Sequence, residues 1–378
     1  MSMIPPTVII AARLAQDHGH GGHGWAMLNW ILGAERVGWN VAVIEATDLD
    51  TIDELQPLGT RWALDALRNH GVTAPYTVLD RRGRPMWGQW DADDLRQAAR
   101  ATDVVLNLSG HWRGDELCQI PHRVYVDLDP GFTQWWAADS IEMGLDRHTA
   151  FATVGLRVGT PGCSAPTLGK EWITTTPPVV MDCWPTTPSG AGRPYTTVAN
   201  WRSYGTVWRD GVRHGQKAHS MRALIDLPTR AGVPIEVALR IHPAEHQDLT
   251  ALQTAGWRIV DPVTIASTPE DYQRYIQRSR GELGLAKEGY VNGITGWVSD
   301  RTACFLATGR PVIAQETGII AELGGGEGLL SFSTSDEAAN SLERVERDWA
   351  RHAGAARALA TERFSHSTVL PQLLERVA

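Results

Sequence analysis

The sequence predicts an α/β protein made of two βαβ-based halves, and three observations carry that prediction. The chain opens on a strand, a glycine-bearing loop, a helix and a second strand across residues 7–45. A proline-rich break, PTTPSGAGRP at 185–194, then interrupts it near the middle. Beyond the break the pattern starts again and is clearest in the strand, loop, helix and strand of residues 281–319. At 378 residues the chain is long for one hydrophobic core and comfortable for two.

Composition narrows the function classes. An apolar fraction of 43% and a charged fraction of 21% are ordinary for a soluble globular protein. A net charge of −8 argues against a nucleic acid as main partner, because that binding rests on surplus Lys and Arg. No apolar run approaches the roughly 20 residues that span a bilayer. The opening MSMIPPTVIIAARL lacks a basic leader region, so a cytoplasmic location is expected. Cys118, Cys163, Cys183 and Cys304 are widely separated, which fits reduced thiols rather than a zinc site or a disulfide frame. Of the 16 tryptophans, several fall in loop-like sequence. Trp112, Trp135 and Trp136 are the expected walls for a flat acceptor.

In the first half, a strand at 7–12 leads through RLAQDHGHGGHG into a helix at 25–37 and a strand at 41–45. Gly19, Gly21 and Gly24 spell G-x-G-x-x-G, and Glu45 stands about where a ribose-binding acid would. The first glycine, however, is several residues past the strand end, and histidines occupy positions where backbone would approach a pyrophosphate. The loop's imidazoles suit general-base work, since their pKa lies near neutrality; His23 is the first candidate and His20 the second. Asp17, His18, His20 and His23 also allow a metal reading, which no later cluster completes. Helices are expected at 59–70 and 91–100, and short strands at 104–106 and 124–127. Both strands end in polar runs, NLSGHW and DLDPGFTQWW, where ligands of an open parallel sheet lie. Asp127 and Asp129 are candidates to orient the loop histidine, and His111 is a rival base.

After the break, a strand at 195–199 runs into a basic loop that holds Arg202 and ends at Lys217, just before a helix at 218–227. A strand at 235–240 and a helix at 269–278 follow. In the 281–319 unit, Ser299 and Asp300 open a helix after a loop at 287–298. Its unpaired N–H groups and dipole, with Lys287 and Arg301 beside them, suit a phosphate or pyrophosphate.

The run SDRTACFLATGRPVIAQETG resembles the donor-binding segment of GT-B-fold glycosyltransferases, where a helix ending in A-x-G-x-P-V-I leads into a strand. KEGYVNGITGWVSDRTACFLATGRPVIAQETG, with NLSG, DLDP and PGC earlier, is similar over nearly the whole chain to a bacterial group of glycosyltransferases. The resemblance implies GT-B architecture, two Rossmann-like α/β/α domains facing across a cleft. Residues 1–185 would bind the acceptor, 186–193 would link, 194–360 would bind the donor, and a helix at 361–378 would cross back towards the first domain.

The implied activity moves a sugar from a nucleotide-activated donor, UDP- or dTDP-linked, to a hydroxyl or amine of a small acceptor, as in secondary metabolism. It needs no metal and no cofactor besides the co-substrate. Expected donor contacts are Arg202, Lys217, Lys287, Tyr290, Gly296, Ser299, Asp300, Arg301 and Glu316. Cys304 stands where many relatives carry a ribose-binding glutamate, and Gly296 where a histidine or the first acid of an E-x7-E pair is expected. Neither stereochemical motif is intact, and the loop histidine favours inversion. The alternatives are an NDP-sugar epimerase or hydrolase of the same fold, or a nicotinamide-dependent oxidoreductase using Gly19, Gly21 and Gly24. The expected partners are the donor, the acceptor and a second copy of the chain.

Overall fold

The computed structural model describes residues 5–377 apart from Gln56. Residues 1–4, part of the opening read above for a leader, lie outside the described residues, as does Ala378. No helix among the described residues is long and apolar enough to cross a membrane.

The chain forms two large sheets. The first contains β1 (Thr7–Ala11), β2 (Asn40–Ala46), β3 (Tyr76–Leu79), β4 (Pro85–Gly88), β5 (Val104–Leu108), β6 (His122–Asp127), β7 (Ala150–Thr153) and β8 (Trp172–Thr174). Their order is β4-β3-β2-β1-β5-β6-β7-β8, and β4 alone runs antiparallel to its neighbour. The second sheet contains β9 (Tyr195–Asn200), β12 (Ile235–Arg240), β13 (Arg258–Val260), β14 (Gly281–Gly284), β15 (Val312–Gln315) and β16 (Leu329–Phe332). It is parallel throughout, in the order β13-β12-β9-β14-β15-β16. Parallel strands covered on both faces read as unbroken apolar runs, which is why β1 is TVIIA with Val8, Ile9 and Ile10 fully buried. A hairpin of β10 (Val207–Arg209) and β11 (Val212–His214) stands apart.

Three local expectations change. The first helix begins at Gly21, not at 25, and runs to Arg36. Its early glycines are there because neighbours from both halves press against them: a Cβ on Gly21 would lie 2.0 Å from the Thr268 carbonyl oxygen, and one on Gly24 2.8 Å from Trp62 of the first half and 3.1 Å from Pro269 of the second. The expected loop at 287–298 contains a short helix, Glu288–Gly293, whose two glycines lower its intrinsic helix propensity and hide it in the sequence. The hairpin falls in a stretch expected to be loop, because strands of only three residues leave no periodic pattern in the sequence.

The halves also share buried apolar contacts behind the cleft. Trp25, Trp184, Tyr272 and Phe305 belong to one cluster, and the Trp25 and Trp62 indoles donate to the Pro269 and Ser267 carbonyls at 2.7 and 3.1 Å. The last helix, His366–Val377, packs on Gly21–Arg36. The carboxyl ends of the central strands of both sheets are thereby left around one cavity.

Candidate active site

That cavity has a volume of about 500 Å³ and is lined from both halves. Its first wall is the loop after β1. Buried Glu45 fixes this loop by accepting from the backbone N–H groups of Leu14 and Ala15 at 2.8 Å and of Gln16 at 2.9 Å, and from the Tyr76 hydroxyl. The carboxylate that would bind ribose in a nicotinamide site is thus spent on backbone. Gly21 and Gly24 are likewise spent on packing, Gly21 against Thr268 and Gly24 between Trp62 and Pro269. The literal G-x-G-x-x-G match has a packing explanation.

The histidines of this loop differ in what they can do. His23 Nε2 lies 2.8 Å from the Arg13 carbonyl oxygen and 3.4 Å from Asp17 Oδ2. A carbonyl can only accept, so Nε2 carries the proton and Nδ1 keeps the lone pair needed by a base. Arg240 donates to His20 Nε2, which occupies that ring's acceptor nitrogen. Burial and the Arg240 charge also lower the His20 pKa, making it a weak base. His111 lies in a separate, smaller pocket, where burial, helped by Arg13, pushes its pKa down to about 3. Asp127 does not orient an imidazole. Its carboxylate is fully buried and accepts from Thr133 Oγ1 at 2.7 Å, Gln134 Nε2 at 2.8 Å and Thr153 Oγ1 at 2.7 Å, which builds the turn after β6. Burial raises its pKa in spite of these donors. The carboxylate beside His23 is Asp17, considered in the sequence only as a metal ligand. Among the described residues no group of three or more His, Cys, Asp or Glu converges to hold a metal ion.

The facing wall concentrates positive charge. Lys217 opens the helix Lys217–Ala223 and lines the cavity without an ion-pair partner among the described residues. Burial, then the Arg301 and Lys287 charges, push its pKa well below the ordinary lysine value. Arg301 donates through Nε to Glu282 at 2.5 Å and through Nη1 to the Val198 carbonyl at 2.8 Å, leaving buried Nη2 unbonded. Ser299 Oγ accepts from the Arg301 N–H at 3.2 Å and caps the helix Asp300–Ala307, with Asp300 also on the cavity wall. From the first half, the helix Gly21–Arg36 brings its N-terminus to the cavity with no acidic residue in its first turn. Its positive dipole end is therefore uncompensated.

Lys287 behaves differently from Lys217. Its ammonium is 3.2 and 3.0 Å from the two Asp129 oxygens and also donates to Tyr204. Tyr290 donates to the same carboxylate. Asp129 and Lys287 form a half-buried bridge between the two halves, so this lysine is already neutralised.

Other expected contacts are placed elsewhere. Exposed Arg202 pairs with Glu245 at 2.5 Å, and Glu316 accepts from the Gly318 N–H at 2.6 Å. Neither lines the cavity. Gly296 has φ +67°, and a Cβ there would lie 2.7 Å from the Arg157 nitrogen, so its role is close approach of two backbones. Cys304 is buried with its sulfur 3.8 Å from Asn29 Nδ2, out of a ribose's reach. Trp112 and Trp135 are fully buried and neither lines this cavity; Trp112 lies at the smaller pocket that holds His111, and Trp135 stacks on His214 at 3.9 Å. Trp136 packs on Phe132 and Tyr204 outside the cavity. The aromatic wall is instead Trp297 stacked on Tyr290, 4.4 Å apart, with Tyr272. Arg240, missed in the sequence reading, was within reach of the strand-end rule, since it closes β12.

Comparison with solved structures places this arrangement in a class. HepE of Anabaena, in complex with UDP and glucose, aligns over 98% of this chain and 99% of its own at 14% identity and TM-score 0.58. Sucrose-phosphate synthase of Thermosynechococcus elongatus aligns over 98% of each chain at 12% identity and TM-score 0.55. AviGT4, a glycosyltransferase involved in avilamycin A biosynthesis, aligns over 98% of this chain and 97% of its own at 13% identity and TM-score 0.56. The chain has the GT-B fold of these glycosyltransferases, with two Rossmann-like halves around a cleft. No protein-family model matches the sequence, and no curated protein matches it significantly.

Proposed function

We propose that this protein transfers a sugar from a nucleoside diphosphate donor to an acceptor hydroxyl, without a bound metal and with inversion at the anomeric carbon. The observation that carries the reading is positive charge in the cleft that its own carboxylates compensate only in part. Arg301 pairs with Glu282, but among the described residues Lys217 has no ion-pair partner and Arg301 Nη2 no hydrogen bond, and a helix N-terminus with no acidic residue in its first turn faces them. Buried cations that repel one another are costly unless a polyanion joins them, and a diphosphate leaving group develops the charge they would stabilise. Uridine is the favoured base, since HepE is also seen with UDP-glucose.

In the proposed reaction the acceptor oxygen attacks the anomeric carbon and forms the new C–O bond. The bond from that carbon to the diphosphate oxygen breaks, and its electron pair leaves with the diphosphate towards Lys217 and Arg301. The hydroxyl proton passes to His23 Nδ1, while Asp17 and the Arg13 carbonyl hold the ring and stabilise its imidazolium.

Calorimetric titration with UDP, dTDP, GDP, ADP and NAD(H), with and without EDTA, tests the reading. Binding of one nucleoside diphosphate, unaffected by EDTA, is expected. Binding of NAD(H) alone would overturn it.

A further inference from the structure

The smaller pocket beside the cleft has no role in the chemistry described so far. It has a volume of about 250 Å³, below the ~300–1,000 Å³ of sites that enclose a whole drug-sized ligand, so its size suits a head group. It lies at the carboxyl ends of β1, β2, β3 and β5, where a ligand of this sheet belongs. Two loops close it: Gly83 of the turn between β3 and β4 approaches Gly114 so closely that a Cβ would lie 3.3 Å from the Gly114 Cα.

Its guanidinium groups are incompletely used. Arg82 has no side-chain partner among the described residues, and Arg113 has only a 3.3 Å contact from Nε to the Gly110 carbonyl. Arg13 Nε is buried and 3.0 Å from Asp17 but out of line for a hydrogen bond. Three carboxylates also line the pocket. Asp80 is consumed by Arg84 and by the Arg82 and Arg84 N–H groups, and Asp115 is fully exposed and 3.6 Å from Arg147. Asp48 is therefore the one carboxylate left to oppose the arginines. The pocket adjoins the cleft through a shared wall, since Arg13 lines the one and its partner Asp17 the other.

We propose that this pocket is the acceptor subsite and that it binds an anionic oxygen group, phosphate or carboxylate, carried by a hydrophilic acceptor. The inference rests on the sugar-transfer reading and replaces the flat aromatic acceptor expected from the tryptophans. Guanidinium forks match such anions through paired N–H donors. An acceptor held there by its charge lies next to the Asp17–His23 pair.

The test uses the full chain saturated with UDP, so that the donor cleft is filled. Inorganic phosphate, acetate and glucuronate are then titrated at constant ionic strength. Saturable binding of phosphate, or of the carboxylates instead, is expected and identifies which anion is preferred. Arg82→Ala combined with Arg113→Ala should weaken it by about tenfold or more, the loss of at least one charged hydrogen bond. Both side chains are exposed, and Arg82→Ala alone provides a milder second variant. No saturable binding of any of the three anions, or equal binding by the double variant, would overturn the subsite. UDP affinity, recorded first, reports on the donor site separately. Its failure would strike the transferase reading while the anion titration still decided the pocket.

Discussion

Replacing Lys217 with methionine should have two opposite effects. The ammonium sits in the cleft without a carboxylate partner among the described residues and beside Arg301 and Lys287, so the empty protein carries an electrostatic cost there. Methionine keeps most of the length and removes the charge. In the absence of ligand, Lys217→Met should therefore melt at or above the wild-type temperature, a stability gain at the expense of function. Nucleoside diphosphate binding should suffer. A hydrogen bond to a charged group contributes about 1.5–3 kcal/mol, which corresponds to roughly 10- to 150-fold in affinity. Calorimetry of the diphosphate and thermal melting of the same preparations read both effects. Unchanged affinity would remove Lys217 from the donor site. A large drop in melting temperature without ligand would show that the ammonium has a stabilising partner, contrary to the reasoning.

His23→Ala should lower turnover by about 100-fold or more while leaving diphosphate affinity within a factor of two or so, because in the proposed reaction the imidazole acts on the acceptor proton. Comparison of turnover with calorimetric affinity separates the two. Diphosphate binding should take up protons: burial and the neighbouring cations depress the Lys217 pKa, and a bound anion favours the charged form and raises it. Affinity should therefore increase as pH falls through the interval between the depressed and ligand-raised values. Calorimetry in buffers of different ionisation enthalpy checks the sign, and proton release would refute it. Gly21→Ala should destabilise the protein by about 1–3 kcal/mol or more, since its Cβ would overlap the Thr268 carbonyl; denaturant unfolding measures this. Asp129→Asn should cost about 3–5 kcal/mol in the same assay, because it leaves the Lys287 ammonium without its counter-charge.

The fold was largely legible because parallel strands and their glycine-bearing turns are local signals. TVIIA and NVAVIEA announce buried strands, and PTTPSGAGRP announces a break, without knowledge of any distant contact. Part of the site follows from the same rule. Lys217, Ser299, Asp300, Arg301, His20 and His23 all stand after strand ends or at helix starts, and all line the cavity. Charge pairing was not legible, because it joins residues far apart in the chain. Lys287 looks like Lys217 in the sequence, yet Asp129, 158 positions away, pairs with one, and the other has no ion-pair partner among the described residues. His20 likewise stands second to His23 as a base in the sequence, and only the fold shows that Arg240 occupies its nitrogen. The tryptophans misled for a related reason. Trp112 and Trp135 lie in short polar segments with no periodic face, so their burial depends on tertiary packing alone.

The most direct measurement is nucleoside diphosphate release from UDP-, dTDP-, GDP- and ADP-linked sugars in the presence of EDTA, for the wild type and Lys217→Met. Release from one nucleotide series, slow with water as acceptor and strongly reduced in the variant, is the expected result. Absence of cleavage and of binding for all four series, with NAD(H) bound instead, would contradict donor recognition in the cleft.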